Sequence, residues 1–240
     1  MAVFRIALNA GHGLYTAGKR CMKSLDPKET REWTLNDRIC DKIEAKLKNY
    51  TGYELIRLDD TTGKKDIPLE TRTDKANDFK ADFYLSIHHN AGIYGGSGGG
   101  VVAITYISVD STTKAWQKDL YNAVVKATGL KGNRSTPLAK MNLHECRESK
   151  MPCVLLECGF MDSRTDVPII LTEDFADKVA TACVEVLVKK AKLKKKPATA
   201  TAPKTIYRIQ VGAYSSKANA EALLSKLQAA GFEGFITTNG

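Results

Sequence analysis

Residues 82–88 read DFYLSIH, an almost unbroken apolar run that ends in a histidine. Such a run is typical of a strand buried on both faces of a parallel sheet. Two similar runs, VFRIALN at 3–9 and PCVLLE at 152–157, also end at or beside polar side chains. Ligands of open parallel sheets bind at the carboxyl ends of the strands, so the residues that end these runs are the first candidates for chemistry.

Helical patterns separate the strands. Apolar residues recur at every fourth position after residue 34, which predicts a helix over 26–49 with Asp26 as N-cap, Pro27 as first residue and Glu29 as capping-box acid. Residues 92–100, GIYGGSGGG, are interpreted as a flexible connector. The same patterns predict helices at 68–79, 111–128 and 173–190, strands at 53–58 and 101–107, and a loop through Pro137 and Asn142. The alternation predicts an α/β fold with a mostly parallel, twisted sheet flanked by helices.

The chain carries a net charge of +9, and much of the excess lies in residues 189–204, which contain seven lysines and no acidic residue. We interpret this segment as solvated, with weak attraction to an anionic cell wall or to nucleic acid as the alternative. No groove-reading or aromatic side chains accompany the lysines, so a nucleic-acid partner is not expected.

The remaining composition bears on the compartment. No run of 18 apolar residues occurs, so membrane insertion is not expected. The N-terminal MAVFRIALNAGHG lacks the features of a signal peptide, which favours synthesis in the cytoplasm and release by another agent. The six cysteines form no CxxC pair, which favours a reduced compartment over a disulfide framework.

Three segments are predicted: a large domain at 1–190, a basic Pro/Ala/Thr/Lys linker at 191–204 and a small unit at 205–240. In the last, TIYRIQVGAY (205–214) and GFEGFITT (231–238) alternate like strands around a helical pattern at 216–230. The pattern predicts a small C-terminal βαβ unit of the α+β type, too small to bury a two-sided sheet alone.

Four polar side chains stand at the ends of these elements. His12 follows the first strand, His88 ends the second, Glu157 ends the third, and Glu32 lies in the first helical segment. Two neutral imidazoles and a carboxylate form a common hydrolytic zinc site that leaves one position for water. A further carboxylate, for which Glu157 is the candidate, can then accept the proton of that water. The alternative is a structural role, in which Glu157 pairs with a buried arginine, the candidates being Arg72 and Arg147.

Spacing alone leaves the ligand set open. Glu29 competes with Glu32, although the predicted capping box gives Glu29 another task. Side chains alternate along a strand, so one of His88 and His89 points away from a metal held by the other. His12, between two glycines, can also simply cap a turn.

Six motifs occur in the order seen in the zinc-dependent N-acetylmuramoyl-L-alanine amidases of the amidase-3 family. They are IALNAGHG (6–13), REWTLN (31–36), RTDKAN (72–77), DFYLSIHHNA (82–91), RESKMPCVLL (147–156) and ECGFMD (157–162). The resemblance covers roughly residues 3–188 and is strongest to sporulation-associated mother-cell and phage-type members.

This resemblance implies that zinc binds to His12, Glu32 and His88 and that Glu157 is the catalytic glutamate. It implies that Asn90 faces the substrate. Arg72 and Arg147 match recurrent arginines for which substrate positioning and structural pairing are both open. The chain departs from the family at three places: Asn9-Ala10 replaces Asp-Pro, His89 replaces a small or apolar residue, and Cys158 replaces leucine or asparagine.

Residues 206–232 resemble one half of a SPOR-like peptidoglycan-binding module, whose complete form contains two βαβ halves. We therefore expect two chains to pair their halves into a homodimer, with docking of the half on its own catalytic domain as the alternative.

Taken together, the resemblance implies a zinc-dependent peptidoglycan amidase that hydrolyses the bond between N-acetylmuramic acid and the L-alanine of the stem peptide. It is expected to act on the cell wall after release, by mother-cell lysis as an autolysin or by phage lysis as an endolysin. The rivals are another zinc peptidase or deacylase acting on wall peptides, and a wall-binding protein that has lost activity.

Overall fold

The computed structural model describes residues 3–197 and 209–238, and the chain divides into two compact units between Pro197 and Ala198. The strands are β1 (Phe4–Ala10), β2 (Tyr50–Thr51), β3 (Tyr53–Arg57), β4 (Phe83–Asn90), β5 (Val102–Thr105), β6 (Leu138–Lys140), β7 (Cys153–Phe160) and β8 (Lys194–Lys195). The helices are α1 (Glu32–Leu47), α2 (Leu69–Asp78), α3 (Ser111–Thr128), α4 (His144–Glu148), α5 (Val167–Ile170), α6 (Glu173–Ala191) and α7 (Lys217–Ala229).

A six-stranded sheet with the order β3-β1-β4-β7-β5-β6 forms the centre of the first unit. Four of its pairings, β3 with β1, β1 with β4, β4 with β7 and β5 with β6, are parallel. Only β5 and β7, among the described strands of this sheet, run antiparallel. The prediction of a mostly parallel sheet flanked by helices is confirmed.

Both faces of the sheet are covered. Leu85 of β4 packs in a core with residues of α1, α3 and α6, whereas the adjacent Tyr84 packs in a second core with residues of α2 and α4. Because successive side chains of a strand point to opposite faces, a strand between two cores has to be apolar at nearly every position. This burial explains the unbroken run at 82–88, and it places the carboxyl ends of β1, β4 and β7 together at one edge.

The start of α1 differs from the prediction. The helix begins at Glu32, because Asp26 closes a turn: its carboxylate accepts the backbone N–H groups of Lys28 at 3.2 Å and Thr30 at 2.7 Å. Glu29 has a left-handed backbone (φ 49°), which no helix interior allows. The prediction of a helix from residue 26, with a capping box at Glu29, is therefore wrong.

The glycine-rich connector at 92–100 is held in place rather than free. One carboxylate oxygen of Asp162 accepts three successive backbone N–H groups, those of Gly92 at 2.8 Å and of Ile93 and Tyr94 at 2.7 Å. Asp166 accepts the N–H of Gly100 at 2.8 Å. Both acids follow β7, so contacts distant in sequence determine the shape of this loop.

Short elements occupy segments predicted as loop. β6 lies within the loop predicted through Pro137 and Asn142, α4 lies between that loop and β7, and α5 precedes α6. Elements of three to five residues are too short to give a hydrophobic period. β8 pairs with β2 in a separate antiparallel ladder, so Lys194 and Lys195 of the predicted linker are part of the first unit. Residues 198–204 of that linker lie outside the described residues.

In the second unit, α7 matches the helix predicted at 216–230. The predicted strand at 231–238 is not formed, and neither is the part of the 205–214 strand that is described, residues 209–214. Residues 205–208 lie outside the described residues. A strand requires the backbone of a neighbour to satisfy its N–H and C=O groups, and the described part of this unit offers none.

Two further observations concern the whole of the described chain. Over residues 3–197 and 209–238, no helix is long and apolar enough to cross a membrane. All six cysteines, each within these ranges, are buried free thiols.

Candidate metal centre and active site

The turn after β1 brings an imidazole to the sheet edge. His12 adopts a left-handed backbone (φ 67°), uncommon for a residue with a side chain. A Cβ on Gly11 would lie 2.0 Å from the ring of His88, and one on Gly13 would lie 2.9 Å from the backbone of Asp66. The two glycines are therefore required by close packing, and they let the His12 ring face the end of β4.

Three side chains converge at this edge. His12 Nε2 lies 3.4 Å from Glu32 Oε2, and His88 Nδ1 lies 3.1 Å from Glu32 Oε1. One ligand atom from each of the three lies within 4.8 Å of the others. Glu32 Oε2 is buried and accepts no hydrogen bond from the described residues, with Lys19 Nζ 3.8 Å away, so it is free to bind a metal ion. The set of two imidazoles and one carboxylate fits zinc.

The charges at the site favour metal binding. Burial lowers the pKa of His12 to about 4, so its imidazole is neutral at pH 7 and has a lone pair to offer. Burial alone would raise the pKa of Glu32, but the hydrogen bond from His88 and the charges of His88 and His12 lower it to about 2. Burial would likewise lower the pKa of His88, but the carboxylates of Glu145 and Glu32 raise it to about 10. His88 therefore holds a proton that a metal ion would have to displace, and the carboxylates that retain this proton also favour a bound cation.

Glu157 lies beside this cluster. It is the direct partner of His88 in the parallel pairing of β4 with β7, after which the register shifts by one residue. Burial raises the pKa of Glu157 to about 7. Its Oε2 is buried and has no hydrogen-bond partner among the described residues. No salt bridge joins Glu157 to Arg72 or Arg147 in this part of the chain, so the structure does not support the arginine-pairing alternative.

The two competing ligands point elsewhere. Glu29 pairs with Arg20 at 3.0 Å, outside the cluster. The ring of His89 lies on the opposite face of β4 from His88, where its Nδ1 is 2.8 Å from Oδ1 of Asn36. Neither Glu29 nor His89 contributes a ligand atom to the cluster of His12, Glu32 and His88.

Comparison with known proteins agrees with this geometry. A family model described as N-acetylmuramoyl-L-alanine amidase matches residues 6–189, well over half of the chain. The chain belongs to the N-acetylmuramoyl-L-alanine amidase family. Its activity is hydrolysis at the cell wall, as the family and its curated amidase relatives establish. A second model, the SPOR domain, matches residues 186–239 of this amidase.

Several relatives of the amidase can be named. A sporulation-specific N-acetylmuramoyl-L-alanine amidase of Bacillus subtilis (strain 168) is 32% identical over 237 residues, which covers 97% of this chain and 84% of the relative. An endolysin of Bacillus phage SPP1 is 32% identical over 192 residues, covering 79% of this chain and 66% of the relative. An amidase structure from Clostridium difficile 630 has a TM-score of 0.71 at 23% identity, covering 80% of this chain and 98% of that one, and indicates the same fold.

Arg72 of the amidase is a structural residue in its observed contacts. It is almost fully buried, with 1% exposed, and its guanidinium donates to Asn9 Oδ1 and to the backbone oxygens of Ala10 at 3.0 Å and His12 at 3.1 Å. It also donates to Ile67 O at 2.8 Å and Asp66 Oδ1 at 3.0 Å. These five bonds engage its donors. We predicted substrate contact or structural pairing, and the contacts favour pairing that holds the turn bearing His12.

The other predicted substrate residues, Asn90 and Arg147, are not part of the cluster. The side chain of Asn90 accepts the N–H of Ala91 at 2.8 Å, directly after β4. Arg147 on α4 is half-exposed and donates to Glu148 at 2.6 Å and to Asn142 at 2.7 Å. Their contact with substrate stays a prediction.

One residue of the site was missed. Glu145 of α4 is 4% exposed and lies against the far side of the His88 ring, with its Oε2 3.6 Å from His88 Nε2. It also lines a cleft of about 350 Å³ with His12, Asp66, Ile67, Pro68, Leu69, Arg72 and His88. No spacing signal identifies Glu145, because its short helix is not periodic. The burial of Glu145 depends on contacts with residues far away in the sequence, so the neighbouring residues do not indicate it.

Proposed function

We propose that this amidase is a zinc-dependent hydrolase that cleaves the bond between N-acetylmuramic acid and the L-alanine of the stem peptide. The proposal rests on one observation: His12, Glu32 and His88 offer ligand atoms within 4.8 Å of one another, and Glu157 lies next to His88. Bound zinc would polarise the scissile carbonyl and lower the pKa of a water molecule. The cleft of about 350 Å³ beside His12 and His88 gives a substrate access to this edge.

Glu157 has the properties of a proton carrier. A base that first accepts a proton from water and then donates it to the leaving nitrogen works best with a pKa near the operating pH. Burial raises the pKa of Glu157 to about 7, which supports both tasks. We therefore assign to Glu157 the transfer of the proton from the attacking water to the nitrogen of L-alanine.

Replacement of Glu157 by glutamine tests this role, because it keeps the shape and removes the base. We expect Glu157→Gln to lower kcat by about 10²–10⁴-fold and to leave zinc content and wall binding unchanged. The matched control is Glu185→Gln, at an exposed position of α6, which should keep full activity. A Glu157→Gln enzyme that lyses walls at the wild-type rate would reject the role.

Product analysis separates the amidase from its rivals. Purified peptidoglycan is digested with and without a zinc chelator, and the products are identified by mass spectrometry. Stem peptides with new L-alanine amino termini, lost on chelation and restored by zinc, are the expected result. Cleavage within the peptide would favour a zinc peptidase, and wall binding without cleavage would favour a protein that has lost activity.

We further propose a division of labour along the chain, with catalysis in residues 1–190, a linker at 191–204 and wall attachment by residues 205–240. The SPOR match at 186–239 supports attachment, and the lysines at 189–204 would add attraction to an anionic wall. A chain truncated after Pro197 should cosediment less with insoluble peptidoglycan yet cleave soluble fragments normally. Equal cosedimentation would place the attachment site elsewhere.

Pairing of two chains through their second units remains part of the proposal. Apolar side chains of the described part of this unit are exposed, with Ile209 90%, Phe235 78% and Phe232 63% accessible. A second copy could cover them and supply neighbours for the unformed strands. Sedimentation velocity of the full chain should detect a dimer that Phe235→Lys dissociates. A monomer at every concentration would exclude pairing.

The biological setting is proposed from the relatives. The sporulation-specific amidase aligns over 97% of this chain and the phage endolysin over 79%, so we favour an autolysin that lyses the mother cell. Immunoblots of a sporulating host should detect the protein late in sporulation. Appearance only after phage induction would support the endolysin instead.

A further inference from the structure

We propose that Glu145 is a positioning residue for the metal centre, which fixes the ring of His88 so that Nδ1 faces the zinc. The proposal rests on the zinc-dependent function above. Glu145 approaches His88 from the side opposite to Glu32: Nε2 is 3.6 Å from Glu145 Oε2, and Nδ1 is 3.1 Å from Glu32 Oε1. A carboxylate at one ring nitrogen selects the tautomer that offers the other nitrogen to a metal.

The surroundings of Glu145 require a carboxylate. Its Oε1 accepts the hydroxyl of Tyr84 and the side-chain N–H of Asn9 at 2.9 Å, and its Oε2 accepts the hydroxyl of Ser86 at 3.2 Å. Nε2 of His88 lies 3.6 Å from Oε2, has no hydrogen-bond partner among the described residues, and is the fourth polar group that faces this carboxylate. An ionised carboxylate accepts through both oxygens, whereas a glutamine would turn an NH₂ group toward two of these donors. These hydrogen bonds hold Glu145 in one orientation, with Oε2 toward His88.

Asn9 links this carboxylate to Arg72. Its Oδ1 accepts from Arg72 and its Nδ2 donates to Glu145 at 2.9 Å, so both ends of the amide are used. An aspartate at position 9 would place a second carboxylate against Glu145, and like charges at this distance in a buried site are strongly unfavourable. The family resemblance leads one to expect aspartate here. In this chain, the buried carboxylate that faces His88, and that Asn9 links to Arg72, lies on α4.

Removal of a carboxylate that orients a metal-binding histidine typically lowers metal affinity or activity by about 10–100-fold. Zinc affinity of the full chain is measured by competition with a chromophoric chelator, for wild type, Glu145→Gln and the control Tyr84→Phe. Tyr84→Phe removes one bond to the same carboxylate but leaves its contact with His88. We expect a loss of about 10–100-fold in zinc affinity for Glu145→Gln and of under about 3-fold for Tyr84→Phe. Equal affinities of Glu145→Gln and wild type would overturn the proposal.

Variants at Asn9 separate the effect of the buried charge from a failure to fold. Asn9→Asp alone should weaken zinc binding and stability, because it crowds two carboxylates. Asn9→Asp combined with Glu145→Gln restores a single buried negative charge and should be more stable than Asn9→Asp alone. A double variant that is less stable than Asn9→Asp would overturn the proposed repulsion between carboxylates at positions 9 and 145. This comparison can be made even if Glu145→Gln by itself does not fold.

The tautomer of His88 distinguishes a positioning role of Glu145 from a purely structural one. The chain has four histidines, so long-range proton–nitrogen NMR of the zinc-bound protein is tractable. We expect His88 to carry its proton on Nε2 and to bind through Nδ1, and Glu145→Gln to broaden or shift this signal. Ligation through Nε2 would overturn the proposal. A wild-type chain that binds no zinc would overturn the zinc-dependent function itself, which the first titration reveals.

Discussion

Replacement of Gly11 by alanine introduces one methyl group at the most crowded point of the site. The new Cβ would lie 2.0 Å from Cε1, 2.3 Å from Nε2 and 2.4 Å from Nδ1 of His88. Ordinary contact needs about 3.5 Å, so the ring has to move by about 1.5 Å. It is held between Glu32 and Glu145, with 12% of its side chain exposed, and has little room to do so.

The expected effect follows from that displacement. Metal–ligand distances tolerate about 0.2 Å, and a misplacement of about 1 Å at a reacting centre costs on the order of 100-fold. Gly11→Ala should therefore lower zinc affinity and kcat/KM by at least about 100-fold. Overpacking should also cost about 1–3 kcal/mol of unfolding free energy.

Chelator competition measures the zinc affinity, and urea unfolding measures the stability. Gly129→Ala is the control: Gly129 has a left-handed backbone (φ 72°) at the end of α3, with no atom within 4 Å of an added Cβ. It should cost about 1–2 kcal/mol from backbone strain and leave zinc affinity unchanged. If Gly11→Ala binds zinc and hydrolyses peptidoglycan like the wild type, the packing argument for the GHG turn is refuted.

Three further outcomes are expected. Removal of zinc should lower the free energy of unfolding by about 4 kcal/mol relative to zinc at about a thousand times its Kd, and identical urea midpoints with and without zinc would contradict a site formed in the folded state. Arg72→Met should lower the free energy of unfolding in urea by about 3–5 kcal/mol, because Asp66 and several backbone oxygens lose a buried cation. Arg72→Lys should recover little of this loss, since an ammonium has three donors for five acceptors. Wild-type stability of the lysine variant would argue against this hydrogen-bond network. Asp162→Ala should raise the rate of amide hydrogen exchange at residues 92–94 by about 10–100-fold. This corresponds to about 1.5–3 kcal/mol, the contribution of hydrogen bonds to a charged acceptor. Unchanged protection would mean that other contacts hold the loop.

Local patterns were sufficient for the long elements. α3 spans the predicted residues, because Asp110 accepts the N–H of Thr113 at 2.7 Å and Gly129 ends the helix with a left-handed backbone. Such caps act within one turn, so they are present in the sequence itself. The same holds for strands buried on two faces, whose apolar runs give the α/β class.

Local patterns misled where a polar residue had two uses. Asp26 before Pro27 is as suitable for an Asx-type turn as for a helix N-cap, and only the positive φ of Glu29 settles that the helix begins later. The choice of Glu32 over Glu29 was therefore drawn partly from a capping box that does not exist. What brings Glu32 to the site is the position of the first turn of α1, next to the ends of β1 and β4.

The apolar runs predicted a mostly parallel sheet, its long buried strands and the residues at their carboxyl ends, because burial and strand alternation act over a few positions. Which of those residues meet depends on contacts between distant parts of the chain. His89 lies one residue from His88 yet faces α1, and Glu145 reaches Asn9 across 136 positions of the chain. Their placement depends on the packing of α1 and α4 against opposite faces of one sheet. Contacts of that separation leave no period in the sequence, so no pattern in it could have identified the carboxylate behind His88.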